Sequence, residues 1–178
     1  TDLDRDEYEE AEERVITELK AINKPFVVLL NSVHPTAERT QALAQELSMP
    51  VVIHERKAHE DGLRIIDEFP DVKGVFHCFS GSYEMAKELI KRGWCIGFTG
   101  VVTFKNAHKA VEVAQNIPLD RILIETDCPY MAPEPVRGTR CDSSLIRYVG
   151  AYIAQRKALE PEEVFRTTAA NARRVFGL

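Results

Sequence analysis

The sequence lacks several features that would assign it to a class at once. No apolar run is long enough to cross a bilayer as a helix, so we expect no membrane association. Only four cysteines occur in 178 residues, far apart and without a Cys-x-x-Cys pair, which favours free thiols in a reducing, cytoplasmic setting. Acidic residues outnumber basic ones, and the net charge of −5 argues against bulk, charge-driven binding of nucleic acid. This net charge does not exclude a local basic patch around a site.

What is present is typical of a globular domain. Hydrophobic residues make up 44% of the chain and charged residues 29%, a balance that excludes a disordered polymer. A chain of 178 residues can bury one sizeable core but is short for two. We therefore predict a single α/β domain over residues 1–178.

Strand and helix patterns alternate along the chain. Five short apolar runs read as buried strands: "FVVLLN", "PVVIH", "KGVFHCF", "WCIGFTG" and "RILIET". Helices are predicted over residues 4–21, 36–47, 61–69, 82–92, 107–115, 144–158 and 161–176. This alternation predicts about five parallel strands joined by right-handed crossover helices.

Five strands cannot close an eight-stranded barrel. We therefore predict an open parallel sheet with helices on both faces. The alternative is half of a TIM barrel, which would have to bury its exposed inner face by dimerising.

Residues of ligand type stand at the carboxyl ends of these strands. His54 and His77 end two of them, and Asp127 follows "RILIET" closely. Active sites of parallel α/β folds lie at this edge, and imidazoles with a carboxylate suit a divalent metal. The pattern predicts a metal site, the alternative being three polar strand terminators. Glu125 is either a hydrogen-bonding partner of His77 or Asp127, or a solvent-side residue of the strand end.

Several motifs resemble those of the TatD-type metal-dependent deoxyribonucleases. They are "PVVIHER", "GVFHCFSGS", "GFTGVVTFKNA", "RILIETDCPYMAPEPVRGTR" and "TTAANARRVFG", and they match in order from about Ala42 to Leu178. The resemblance implies an amidohydrolase-type TIM barrel that hydrolyses phosphodiester bonds of DNA with two divalent ions, zinc, magnesium or manganese. It implies that His54 and His77 bind one metal, and that Asp127 binds the other and is the catalytic base.

The same resemblance implies that Arg137 and Arg140 contact phosphate. A guanidinium suits that task because its fork of donors matches a phosphate in a bidentate way. The alternative for both residues is an ordinary solvated loop.

The sequence also departs from the family pattern. The family carries a His-x-His pair on its first strand and a bridging glutamate on its fourth, and neither occurs in these 178 residues. The residues present therefore predict an incomplete metal site with little charge to hold an ion.

The first 35 residues resemble a different family. "TDLDRDEYEEAEERVITELKAINKPFVVLLNSVHP" is similar to a segment of stage IV sporulation protein A, a spore-coat morphogenetic ATPase with a P-loop GTPase-like fold. The phosphate-binding motif G-x-x-x-x-G-K-[ST] is missing, so we expect no bound nucleotide. Asn31 and His34 are predicted only to end a strand and begin a turn. The segments 1–41 and 42–178 would meet at a helix near residues 38–50.

These observations favour a chimera, most simply an engineered one, that derives mainly from a TatD-type nuclease and has little activity. One alternative is a working divalent-metal-dependent DNase, in which a second chain adds ligands or a single zinc uses His54, His77 and Asp127. Another is a structural scaffold without chemistry. In the chimera, DNA is the ancestral substrate and is bound weakly at most. The resemblance implies a location in a bacterial cytoplasm. A homodimer through an exposed sheet edge or face stays open.

Overall fold

The computed structural model describes residues 50–54 and 59–178, together with positions 14, 17, 18 and 21, which are helical. The predicted strand "FVVLLN" and the predicted helix over 36–47 lie outside the described residues. So do Asn31, His34 and most of the predicted helix over 4–21.

Four parallel strands form one sheet in the described part of the chain. They are β1 (Val51–His54), β2 (Gly74–His77), β3 (Cys95–Phe98) and β4 (Ile122–Ile124), in the order β1-β2-β3-β4. Each strand therefore pairs with the next one in sequence, which is the commonest arrangement of consecutive strands. The predicted α/β class and open parallel sheet are confirmed; four of the five predicted strands are described, and they do not close a barrel.

The helices that follow the strands are α1 (His59–Glu68), α2 (Tyr83–Lys91), α3 (His108–Asn116), α4 (Ile146–Lys157) and α5 (Pro161–Phe176). Local sequence sets several of their ends. The Ser82 hydroxyl accepts the Met85 backbone N–H at 3.2 Å and caps α2. Gly93 follows α2 with a positive φ of 87°, which a glycine adopts without strain. Pro161 occupies the first turn of α5, where its missing N–H costs nothing.

The two faces of the sheet pack against different helices. One face meets residues from all five helices in the larger core, and its buried strand residues are Val51, Ile53, Phe76, Ile96, Phe98 and Ile122. The opposite face carries Val75, Cys95 and Leu123, which pack against Ala172, Val175 and Phe176 in the last turns of α5. Helices on both faces were predicted, and the alternation of side chains along each strand is the reason they can pack there.

Asn171 joins α5 to the sheet. Its side chain is 1% exposed, and its amide donates to the carbonyl oxygens of Leu119 at 2.9 Å and Ile122 at 2.8 Å. These carbonyls lie at the entrance of β4, so Asn171 fixes the strand that leads to Glu125 and Asp127. Among the described residues, no helix has the length and apolarity that crossing a membrane requires.

Candidate metal centre

His54 and His77 stand side by side at the ends of β1 and β2. They are register partners in the parallel ladder, and their ring centroids lie 5.5 Å apart with an interplanar angle of 34°. His77 lies two residues after Val75 in β2, so both side chains point to the same face of the sheet. The end of α5 covers this face at Val75. His54 is exposed and His77 is half-buried. The predicted meeting of the two imidazoles at one edge is present in the structure.

Glu125 reaches His77 across the intervening strand. Its Oε2 lies 2.8 Å from His77 Nδ1, and because a carboxylate only accepts, that nitrogen carries the hydrogen. The side chain passes over β3 at Gly97, where a Cβ would stand 2.2 Å from Glu125 Oε2. A glycine in a strand interior thus leaves room for a carboxylate to lie on the sheet.

The other nitrogen of His77 faces Asp127. Nε2 lies 3.6 Å from Asp127 Oδ1, longer than a hydrogen bond but close enough for a charge interaction. The hydrogen bond to Glu125 is the main cause that raises the pKa of His77 above its usual value; the charge of Asp127 adds to it, and burial opposes it. Both carboxyl groups therefore stabilise positive charge at this position.

The loop after β4 positions Asp127. Its backbone forms an antiparallel bridge with Tyr130, whose N–H donates to the Asp127 carbonyl oxygen at 2.8 Å. Glu125 N–H donates to the Phe98 carbonyl oxygen at 2.9 Å, which extends the pairing of β3 and β4 past the last strand residue. The carboxylate of Asp127 is thereby held at the strand edge although it lies three residues beyond β4.

The donor set at this edge fits a divalent ion as a pair of ligands. With Nδ1 engaged by Glu125, a neutral His77 offers the Nε2 lone pair towards Asp127 Oδ1. Bonds from such an ion to nitrogen and oxygen are about 2.0–2.2 Å, so one ion can join two donor atoms at this separation. Without a cation or a proton between them, two electron-rich atoms would face each other.

A single three-ligand site, by contrast, is not formed. In the part of the chain that the structure describes, no three His, Cys, Asp or Glu side chains group closely enough to hold one ion. The alternative of one zinc held by His54, His77 and Asp127 together is therefore not supported by this geometry. The three predicted ligands meet as neighbouring pairs, because His54 lies one strand further from Asp127 than His77 does.

Arg137 and Arg140 lie on the loop that follows Asp127. Both are exposed; the Arg137 guanidinium stacks on the Phe104 ring at 4.0 Å from its centroid. Arg140 lines an open cavity of about 550 Å³ with Cys128, Pro129, Cys141, Asp142 and Ser143. Arg140 therefore lines a cavity whose wall includes Cys128, the residue after Asp127. Arg137 instead packs against an aromatic ring.

Burial disfavours the thiolate form of two cysteines near the site, Cys78 and Cys141. Burial raises the pKa of Cys78, whose Sγ lies 3.2 Å from Thr99 Oγ1. Burial also raises the pKa of Cys141 to about 11, with the Cys128 thiol 3.9 Å away as the next cause. All four cysteines of the chain are free. A nucleophilic thiolate is disfavoured at Cys78 and Cys141, because a thiol with a raised pKa stays protonated at neutral pH.

Sequence reasoning left Glu125 between two alternatives and assigned no role to Gly97. The structure makes Glu125 the hydrogen-bonding partner of His77. A signal existed in the alternation of side chains, because Glu125 falls two residues after Leu123 and so shares the face of His77. The space above Gly97 that admits the carboxylate had no such signal. It depends on β3 lying between β2 and β4 in the sheet.

Comparison with known proteins places the chain in a family. The model of the family described as TatD related DNase matches residues 31–177. This match begins earlier than the predicted start near Ala42, inside the segment 1–41 that was assigned to another family. The comparisons give no support to the sporulation-protein segment or to a chimera.

Individual relatives agree with that match. An uncharacterized metal-dependent hydrolase of Bacillus subtilis, YabD, is 47% identical over 137 residues, which cover 76% of this chain and 54% of the relative. The human 3'-5' RNA nuclease TATDN2 is 44% identical over 112 residues, 61% of this chain and 15% of that protein. The chain thus spans about half the length of its bacterial relative.

A solved structure shares the fold. The crystal structure of YjjV, a TatD homolog from Escherichia coli, superposes with a TM-score of 0.73 at 25% identity, over 87% of this chain and 63% of the other. The family match covers most of the chain and agrees with this likeness in fold. The chain belongs to the TatD-related DNase family.

Proposed function

We propose that the protein acts as a divalent-metal-dependent hydrolase of phosphodiester bonds in nucleic acid. The observation that carries this proposal is the opposition of His77 Nε2 and Asp127 Oδ1 at 3.6 Å, at the strand edge where His54 also lies. Two electron-rich donors held this close, one by β2 and one by the loop after β4, are stabilised by a shared cation. The family assignment supports the same chemistry, since bacterial members carry the name metal-dependent hydrolase.

Each of the three residues has a role in this proposal. His54 and His77 are metal ligands through their imidazole nitrogens, and Asp127 is a ligand through its carboxylate. When bound, a divalent ion supplies Lewis acidity, which activates water and neutralises phosphoryl charge. Asp127 also accepts the proton of the attacking water, because its oxygen is exposed enough to meet a substrate and lies beside the metal-binding nitrogen.

The two arginines serve substrate binding in the proposal. Arg140 faces the cavity beside Asp127, where a bidentate guanidinium would hold a backbone phosphate. Arg137, stacked on Phe104, would hold a second phosphate without losing its ring contact. Since the chain has a net charge of −5, these local charges and not a general basic surface would attract the nucleic acid.

The metal can be tested without any substrate. Isothermal titration with Mn²⁺, Mg²⁺ and Zn²⁺ should show binding to the wild type and a loss of at least about tenfold in affinity for His77→Ala. His108→Ala is the matched control, because His108 is exposed at the start of α3, and its affinity should be unchanged. A wild-type protein that binds none of these ions would contradict the proposal.

Cleavage is tested with single-stranded DNA, double-stranded DNA and RNA oligonucleotides in the presence of the best-bound ion. We expect Asp127→Asn to lower the rate by about 10²–10⁴-fold through loss of the base. We expect Arg140→Ala to raise KM more than it lowers kcat, because it removes a phosphate contact. Cleavage that is unchanged in Asp127→Asn would come from a contaminating nuclease and count against the assignment.

The predicted incomplete site with little activity stays a prediction. It rests on the missing His-x-His pair and bridging glutamate in these 178 residues. The same titration decides it, because an incomplete site predicts that His77→Ala and wild type bind metal equally poorly. The predicted homodimer and cytoplasmic location also stay predictions, and sedimentation velocity would test the first.

A further inference from the structure

Two hydrogen-bond donors from neighbouring residues converge on the side chain of Glu125. Its Oε2 accepts a hydrogen bond from His77 Nδ1 at 2.8 Å, and the Cys78 backbone N–H points at the same oxygen at 3.4 Å. Cys78 adopts a positive φ of 47°, which is uncommon for a residue with a side chain. Two donors from adjacent residues thus converge on one carboxylate oxygen and fix its place.

The strand between the two residues is shaped for this contact. Glu125 follows β4 and His77 ends β2, so the carboxylate must cross β3 to reach the ring. It crosses at Gly97, where a Cβ would lie 2.2 Å from Oε2 and 2.5 Å from the carboxyl carbon. Any residue other than glycine at this position would push the carboxylate off the sheet and away from His77.

We propose that Glu125 is a positioning residue, which holds His77 in the tautomer with hydrogen on Nδ1 and directs the Nε2 lone pair towards Asp127. The tautomer follows from the bond, because an imidazole nitrogen that donates to a carboxylate leaves the other nitrogen as the acceptor. Glu125 touches neither water nor substrate in this role. Its effect on metal binding rests on the proposed function, whereas its effect on the tautomer does not.

The tautomer can be read in the protein without metal. Long-range proton–nitrogen correlation spectra of histidine-labelled protein, taken at a pH above the pKa of His77, distinguish hydrogen on Nδ1 from hydrogen on Nε2. The wild type should show hydrogen on Nδ1. Glu125→Ala should shift the population to hydrogen on Nε2, and Gly97→Ala should do the same because its methyl group displaces the carboxylate.

Glu125→Gln separates the hydrogen bond from the charge. A glutamine can place its carbonyl oxygen where Oε2 stands, so it should retain hydrogen on Nδ1. Glu112→Ala is the matched control, since Glu112 is an exposed carboxylate of α3 and its loss changes the net charge equally. Circular dichroism and melting temperature report whether each variant folds.

Metal affinity provides the second readout. Titration with Mn²⁺ should give a dissociation constant about 10–100-fold higher for Glu125→Ala than for wild type, and unchanged for Glu112→Ala. The proposal is overturned if Glu125→Ala folds and keeps hydrogen on Nδ1, whatever its melting temperature. If the wild type binds no metal, the proposed function fails, and the tautomer of Glu125→Ala still decides the role of this residue.

Discussion

Replacing Asn171 by alanine should weaken the protein through the two bonds that tie α5 to β4. The bond to the Ile122 carbonyl is buried, and a buried carbonyl without a partner costs about 1–3 kcal/mol. The bond to the Leu119 carbonyl is only partly buried, so water can replace the amide at a cost of about 0.5–1.5 kcal/mol. Together they predict a loss of about 1.5–4.5 kcal/mol in the free energy of unfolding.

Asn116 provides a matched comparison. Its amide also donates to a backbone carbonyl, that of Glu112 at 2.8 Å, but this bond is exposed. Asn116→Ala should change stability by about 0.5 kcal/mol or less. Both asparagines lie in helices, so the higher helix propensity of alanine favours both variants and does not explain a difference between them.

Urea denaturation followed by circular dichroism measures both variants. The midpoint should fall for Asn171→Ala with little change in the slope, since the folded state stays compact. In thermal unfolding the same loss should lower Tm by roughly 5–15 °C for a chain of this size. If Asn171→Ala were as stable as Asn116→Ala, the two hydrogen bonds of Asn171 would not hold α5 on the sheet, and this reasoning would be refuted.

Two further predictions concern the sheet and the surface. Gly74→Ala would place a Cβ 1.8 Å from the Val51 carbonyl oxygen, so it should cost about 1–3 kcal/mol in the same urea assay by parting β1 from β2. Hydrogen bonds from Arg92 hold the pKa of the Asp67 carboxyl below its usual value. Because the folded-state pKa is the lower one, this stabilisation is present above about pH 4 and is lost as the pH falls through the folded value. The stability difference between wild type and Arg92→Gln should therefore shrink in acid, and a difference that grew in acid would contradict the assignment.

The local parts of the fold were readable from the sequence. Predicted and observed bounds coincide for α5, where Pro161 sets the start, and agree closely for α2, where Ser82 and Gly93 set the ends. Such signals need only the chain's own neighbours, since capping and proline geometry act within one helical turn. The class of the sheet was readable for a similar reason, because short apolar strands alternating with helices can pair only through crossovers.

The candidate ligands were partly readable too. His54, His77 and Asp127 were predicted because carboxyl ends of parallel strands meet at one edge whatever their order. The alternative of one zinc held by all three is not supported by the described geometry, because strand order sets which pairs of side chains are neighbours.

By itself the sequence determined the helices and strands of the described part of the chain, the parallel sheet and the candidate ligands at its carboxyl edge. Only the tertiary structure decided that Glu125 is the partner of His77 and that Gly97 makes room for it. These contacts join His77 in β2, Gly97 in β3 and Glu125 just past β4, and the hydrogen bond links residues 48 positions apart. No local sequence pattern encodes these contacts. They form only because β3 lies between Glu125 and His77 and because Gly97 has no side chain to block the carboxylate.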